Sequence, residues 1–82
     1  MTLEQYLTRE KLSQAAFAAR IGLSKATVSQ ILSGAVRAGV ETALKIVDGS
    51  DGEIDAETLP LVPRAAETLR KFGVIAPASA AQ

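Results

Sequence analysis

The chain has no cysteine, no histidine and no tryptophan. Without cysteine there can be no disulfide, and without either ligand type the usual zinc and haem sets are excluded. The same absences remove most schemes of nucleophilic and acid–base catalysis, so neither an enzymatic role nor a cofactor is expected. Aromatics are scarce too, limited to Tyr6, Phe17 and Phe72. No apolar run approaches the length needed to cross a membrane. No basic stretch followed by an apolar run stands at the start, so a secretory signal is not expected and a cytoplasmic location is. What remains is room for one small domain in 82 residues, and 48% hydrophobic content with runs of alanine suits a helical one.

Net charge is zero and the pI is about 6.2, which does not suggest a partner of either sign. The distribution does. From Lys11 to Val40 there is no Asp or Glu, while Lys11, Arg20, Lys25 and Arg37 all fall there. The acids gather later, at Asp48, Asp51, Glu53, Asp55, Glu57 and Glu67. A stretch free of carboxylates suits a phosphate backbone, because each acid would repel the duplex and oppose counterion release. Chance clustering on a solvated surface explains the same charges, so charge alone does not decide. The acidic run lacks the alternating ligands and final glutamate of a calcium loop, and turn and cap chemistry accounts for it better.

Along the chain, Thr2 and Gln5 read as a capping box that opens a helix with Leu3, Tyr6 and Leu7 on one face. Ser13 caps a second helix, Gln14 to Ile21, with Phe17, Ala18 and Ile21 at core spacing, and Gly22 ends it. Ser24 caps a third, Lys25 to Ser33, whose apolar stripe is Val28, Ile31 and Leu32, closed at Gly34. A fourth spans Val40 to Val47 with Leu44 and Val47 expected inward. Gly49 to Gly52 is a turn, and Asp55 is placed to cap a short piece ending before Pro60. Pro63 suits the first turn of a fifth helix, Arg64 to Phe72, with Gly73 as its stop. Residues 76–82 read as a frayed tail. The main risk to an all-helical reading is a short strand near Glu53 to Asp55.

The second and third helices carry the functional signal. Gln14, Ala18, Gly22, Val28 and Ile31 stand at the spacing of two helices crossing steeply at a tight turn. Ala18 must be small where the third helix crosses, Gly22 must turn the chain, and Val28 with Ile31 plug the crossing. With "LEQYL", "LSQAAFAARIGLSKATVSQILSG" and "ETALKI", the stretch from Met1 to about Ile54 resembles the Cro/CI-type helix-turn-helix proteins, especially small Cro-like, YdaS-type regulators. The resemblance implies an all-α, lambda-repressor-like fold of about five helices. It also implies a transcriptional regulator, usually a dimeric repressor. After Asp55 the chain departs from the family pattern, with Leu59-Pro60-Leu61-Val62-Pro63 in place of an Arg-Pro-Asp-like segment.

The third helix is also legible from its own residues. Burying Val28, Ile31 and Leu32 leaves Lys25, Ala26, Ser29, Gln30 and Ser33 on the opposite face, which holds no acid and no large apolar group. Lys25, Ala26, Ser29 and Gln30 also match the family's base-facing positions. Gln30 can pair bidentately with adenine, Lys25 donate to guanine, and Ala26 touch a thymine methyl. Ser13, Gln14, Ser24, Thr27 and Arg37 are the candidates for the DNA backbone, the first two at a helix start where free N–H groups receive a phosphate. Each residue taken singly suits a solvated helix equally well; the helix-turn-helix spacing favours DNA.

The domain is accordingly expected to span residues 1–59, its core complete by about Leu59. Residues 60–75 are then left as a dimer or partner contact through Leu69, Phe72, Val74 and Ile75. Double-stranded DNA and a second copy are the expected partners. The competing reading is an interaction module or antitoxin-like protein that holds a protein partner through residues 59–75, with DNA binding secondary. If the last helix packs on its own copy or its own core, the chain is a self-sufficient regulator; an exposed patch implies a partner.

Overall fold

Short polar caps determine where the first helices begin. In the computed structural model, which describes residues 1–75, the Thr2 hydroxyl accepts from the Gln5 N–H and the Gln5 side chain accepts from the Thr2 N–H. This reciprocal pair opens α1 (Leu3–Glu10). Ser13 and Ser24 do the same singly for α2 (Gln14–Ile21) and α3 (Lys25–Ser33), accepting from Ala16 and Thr27. α4 (Val40–Gly49), a 3-10 turn (Ala56–Thr58) and α5 (Pro63–Lys71) follow. Among the described residues the fold is all-helical, without a strand. An isolated parallel bridge joins Ala38 to Leu61, and the region near Glu53 to Asp55 forms no strand. The expected tail, 76–82, lies outside the described residues.

The core gathers one face of every helix. Leu3, Tyr6 and Leu7 from α1 meet Phe17 and Ala18 from α2, Val28 and Ile31 from α3, and Ala43 and Ile46 from α4. Tyr6 and Phe17 pack edge to face with ring centroids 5.8 Å apart. Arg9 lies over the Tyr6 ring and forks onto the Glu53 carboxylate, tying α1 to the segment after α4. Hydrogen bonding from Arg9 holds the Glu53 carboxyl below its ordinary range. Ser50, the fully buried polar residue at the end of α4, donates its hydroxyl to Val47 O at 2.8 Å and accepts from Ile54 N at 3.0 Å. The turn from α4 into Ile54 is thereby satisfied internally.

α4 is rotated from its expected setting. Ala43 and Ile46 are buried, Val47 is half-buried, and Leu44 is 42% exposed rather than inward. The side turned inward carries Gly49, where the last turn of α4 comes close to α2. A Cβ there would stand 2.3 Å from Ile21 Cγ2 and 3.6 Å from the Phe17 ring. Gly49→Ala therefore sets two effects against each other. Alanine gains about 0.8–1 kcal/mol of helix propensity, while overpacking costs about 1–3 kcal/mol. We expect a net loss of stability of up to about 2 kcal/mol in urea titration; a stabilised variant would contradict the close approach.

The C-terminal segment is a second correction. The core does not end at Leu59, because Ala65, Leu69 and Ile75 are buried and the latter two join the same cluster as Phe17. Leu69 and Ile75, expected as dimer or partner contacts, are 1% and 8% exposed and thus occupied by the chain itself. Phe72 and Val74 remain outside. Asp55 likewise does not cap the 3-10 turn with its side chain. Its carboxylate lies 2.7 Å from the Met1 amino nitrogen, and its N–H donates to Met1 O.

Candidate nucleic-acid interface

Helices α2 and α3 are joined by Gly22, Leu23 and Ser24. Gly22 takes the left-handed conformation at φ 75°, and Leu23 N–H reaches back to Ala18 O at 2.9 Å, so the chain reverses within one turn. Buried Ala18 allows α3 to pack closely, with Val28 and Ile31 turned toward the core. Gly34, again left-handed, ends α3.

With those side chains inward, the helix has one direction left for the rest. Lys25, Ala26, Ser29, Gln30 and Ser33 are all exposed along its outer face. The four expected base-facing residues therefore stand together on one surface. Among the described residues, neither the Lys25 ammonium nor the Gln30 amide has a side-chain hydrogen-bond partner. Ser33 is less free. Its hydroxyl donates to Gln30 O at 3.1 Å and accepts from Ala35 N, closing the helix end.

The expected backbone residues form two pairs, with Arg37 apart from both. Ser13 and Gln14 at the start of α2 line one groove with Lys25 from α3 and Lys11 from the end of α1, an open volume of about 670 Å³. Neither α2 nor α3 has an acid in its first turn, so the partial positive charge of both helix starts is uncompensated. Lys11, in the left-handed conformation at the end of α1, is a cation of the acid-free stretch that sequence reasoning did not place at the site. Glu4 lines the same groove and is the one acid among its residues. Ser24 and Thr27 form the second pair, their hydroxyl oxygens 2.9 Å apart, with Thr27 half-buried at the edge of α3.

Arg37 is exposed in the loop after α3 and donates one guanidinium N–H to Leu61 O at 3.3 Å. That bond holds the stem near the Ala38–Leu61 bridge and leaves its remaining donors for other groups. Arg20 has a different occupation. Its guanidinium meets the Tyr6 hydroxyl at 3.2 Å and Gly49 O at 3.5 Å, bracing α2 against α1 and the end of α4. A contact spanning 29 residues leaves no local sequence signal.

The described residues contain no cluster of acids suited to a metal ion, and no helix among them is long and apolar enough to cross a membrane. A family model described as "Helix-turn-helix" matches residues 3–49, more than half of the chain, from α1 to the end of α4. No curated protein and no solved structure matches the chain.

Proposed function

The chain belongs to the helix-turn-helix family of the Cro/CI type, DNA-binding regulators of transcription, and from that premise we propose that it is a sequence-specific repressor acting as a homodimer. Helix α3 enters the major groove. Gln30 reads adenine through a bidentate amide contact, Lys25 donates to guanine, Ala26 meets a thymine methyl, and Ser29 supplies a hydroxyl. Ser13, Gln14, Ser24, Thr27 and Arg37 hold the phosphates on either side. The observation that carries the reading is the exposed, acid-free outer face of α3, with Lys25 and Gln30 unengaged. Repression follows from occupying promoter DNA, which requires no further activity.

Dimerisation supplies the length of site that one helix cannot. A single recognition helix reads a few base pairs, whereas two-fold pairing sets a second helix about 34 Å along the duplex. The competing reading, a module that holds another protein through residues 59–75, has less surface to use. Leu59, Leu69 and Ile75 are buried in the chain's own core.

Titration of fluorescent duplex DNA across a salt series tests the reading. Wild-type affinity is expected to fall steeply with salt, and absence of duplex binding even at low salt would remove the proposal. In the same assay Arg37→Ala should weaken specific and nonspecific binding alike. It should also reduce the salt slope by about 1 per chain. An unchanged slope would mean that Arg37 serves only the Leu61 carbonyl.

A further inference from the structure

We propose that Phe72 of each chain docks into the groove between α4 and Val74 on a second copy of the same chain, so that two copies pair reciprocally. The inference rests on the homodimer reading above and names its contact.

Phe72 is 76% exposed, the most exposed of the large apolar side chains among the described residues. Its position is fixed rather than loose. It follows the last residue of α5, Gly73 reverses the chain at φ 76°, and Val74 N–H bonds to Leu69 O at 2.9 Å while Ile75 returns to the core. The exposed ring thus stands on backbone tied between two buried residues, Leu69 and Ile75.

Beside it lies a groove of about 670 Å³ with Leu44, Val47 and Val74 as its apolar lining. Leu44, on the outer side of α4, and Val74, just after α5, are the exposed apolar residues there. Acids stand along the groove, Glu41, Asp48 and Asp51, of which Glu41 already meets Lys45 at 3.5 Å. Immediately before Phe72 come Arg70 and Lys71, both exposed. Among the described residues none of Arg70, Lys71, Asp48 and Asp51 takes part in an ion pair.

These features match each other. A Phe72 ring entering a partner's groove brings Arg70 and Lys71 toward the partner's Asp48 and Asp51. The ring, the groove and both signs of charge belong to one chain, the self-complementarity that a closed two-fold pair requires. Because Val74 lines the groove two residues after Phe72, each copy offers and receives from neighbouring positions. None of the groove residues lies on α3, so pairing leaves the DNA-reading face free.

Sedimentation equilibrium of the full chain tests the contact. Phe72→Ser should raise the dimer dissociation constant at least tenfold with unchanged helical circular dichroism. Two charge-reversed chains keep the test independent of that variant. Arg70→Glu/Lys71→Glu and Asp48→Lys/Asp51→Lys should each dimerise poorly alone, and mixing them should restore a heterodimer because both contacts then join opposite charges. A wild-type dimer that Phe72→Ser leaves intact, with no gain on mixing, would overturn this contact while the homodimer stands. A wild-type chain that stays monomeric, free and on an inverted-repeat duplex, would overturn the homodimer itself. Open-ended oligomers would overturn the reciprocal geometry.

Discussion

Leu69→Ala is expected to lower the unfolding free energy by about 2–5 kcal/mol, the range for a fully buried leucine that leaves a cavity. Leu69 is 1% exposed and shares a cluster with Phe17, Ile46 and Ile54. A domain of this size has a total stability on the order of 4–12 kcal/mol, so one side chain of α5 accounts for a large share. The measurement also separates a core role from an interface role. If Leu69 packs within its own chain, the loss in a urea titration is the same at every protein concentration. If it packs against a second copy, the loss grows with concentration through the dimer it disrupts. A concentration-independent loss is expected. An effect below about 0.5 kcal/mol, the level of ordinary surface substitutions, would return α5 to the outside of the domain.

Gln30→Ala should have the largest effect on function. One lost bidentate base contact costs about 1–3 kcal/mol. A dimer on an inverted repeat loses the contact twice, about 2–6 kcal/mol, which is roughly 30-fold at the low end and beyond 10³-fold at the high end. Binding to unrelated DNA should barely change, since that affinity comes from phosphates. Circular dichroism should not change either, because Gln30 is exposed and its side chain takes part in no hydrogen bond among the described residues. Lys25→Ala should also weaken the specific site, but as a cation it should lose some nonspecific binding as well. A Gln30→Ala chain that held its selected site as tightly as wild type would show that the reading face is elsewhere.

The parts of this fold written in local chemistry were legible in the sequence. Thr2 with Gln5, Ser13 and Ser24 start helices through bonds three residues long, and Gly22 and Gly34 end them through left-handed turns. The boundaries of α2 and α3, and hence the outer face of α3, followed from those residues alone. What was not legible depends on distant contacts. Leu44 fits a helical stripe with Val47 as well as Ala43 does with Ile46. Val47 does pack against the core, but Leu44 is exposed, and α4 turns inward the side on which Gly49 comes against Ile21 and Phe17 of α2. Leu69 and Ile75 looked unpartnered because nothing near them in sequence announces the Phe17 cluster that covers them. Asp55 read as a helix cap, and its carboxylate instead faces Met1, 54 residues away. In the candidate site the residue types were visible, but the groove joining Lys11 and Glu4 to Gln14 and Lys25 needed three helices in place.

Selection of bound fragments from random duplex DNA, followed by sequencing, tests the central claim that α3 reads base sequence. Wild type is expected to enrich an inverted repeat whose half-site centres lie one helical turn apart, about 10 base pairs. Gln30→Ala should lose the preference for one base pair in each half-site and keep the rest. A wild-type pool with no enriched sequence, or a Gln30→Ala/Lys25→Ala chain that enriches the same site unaltered, would contradict the claim.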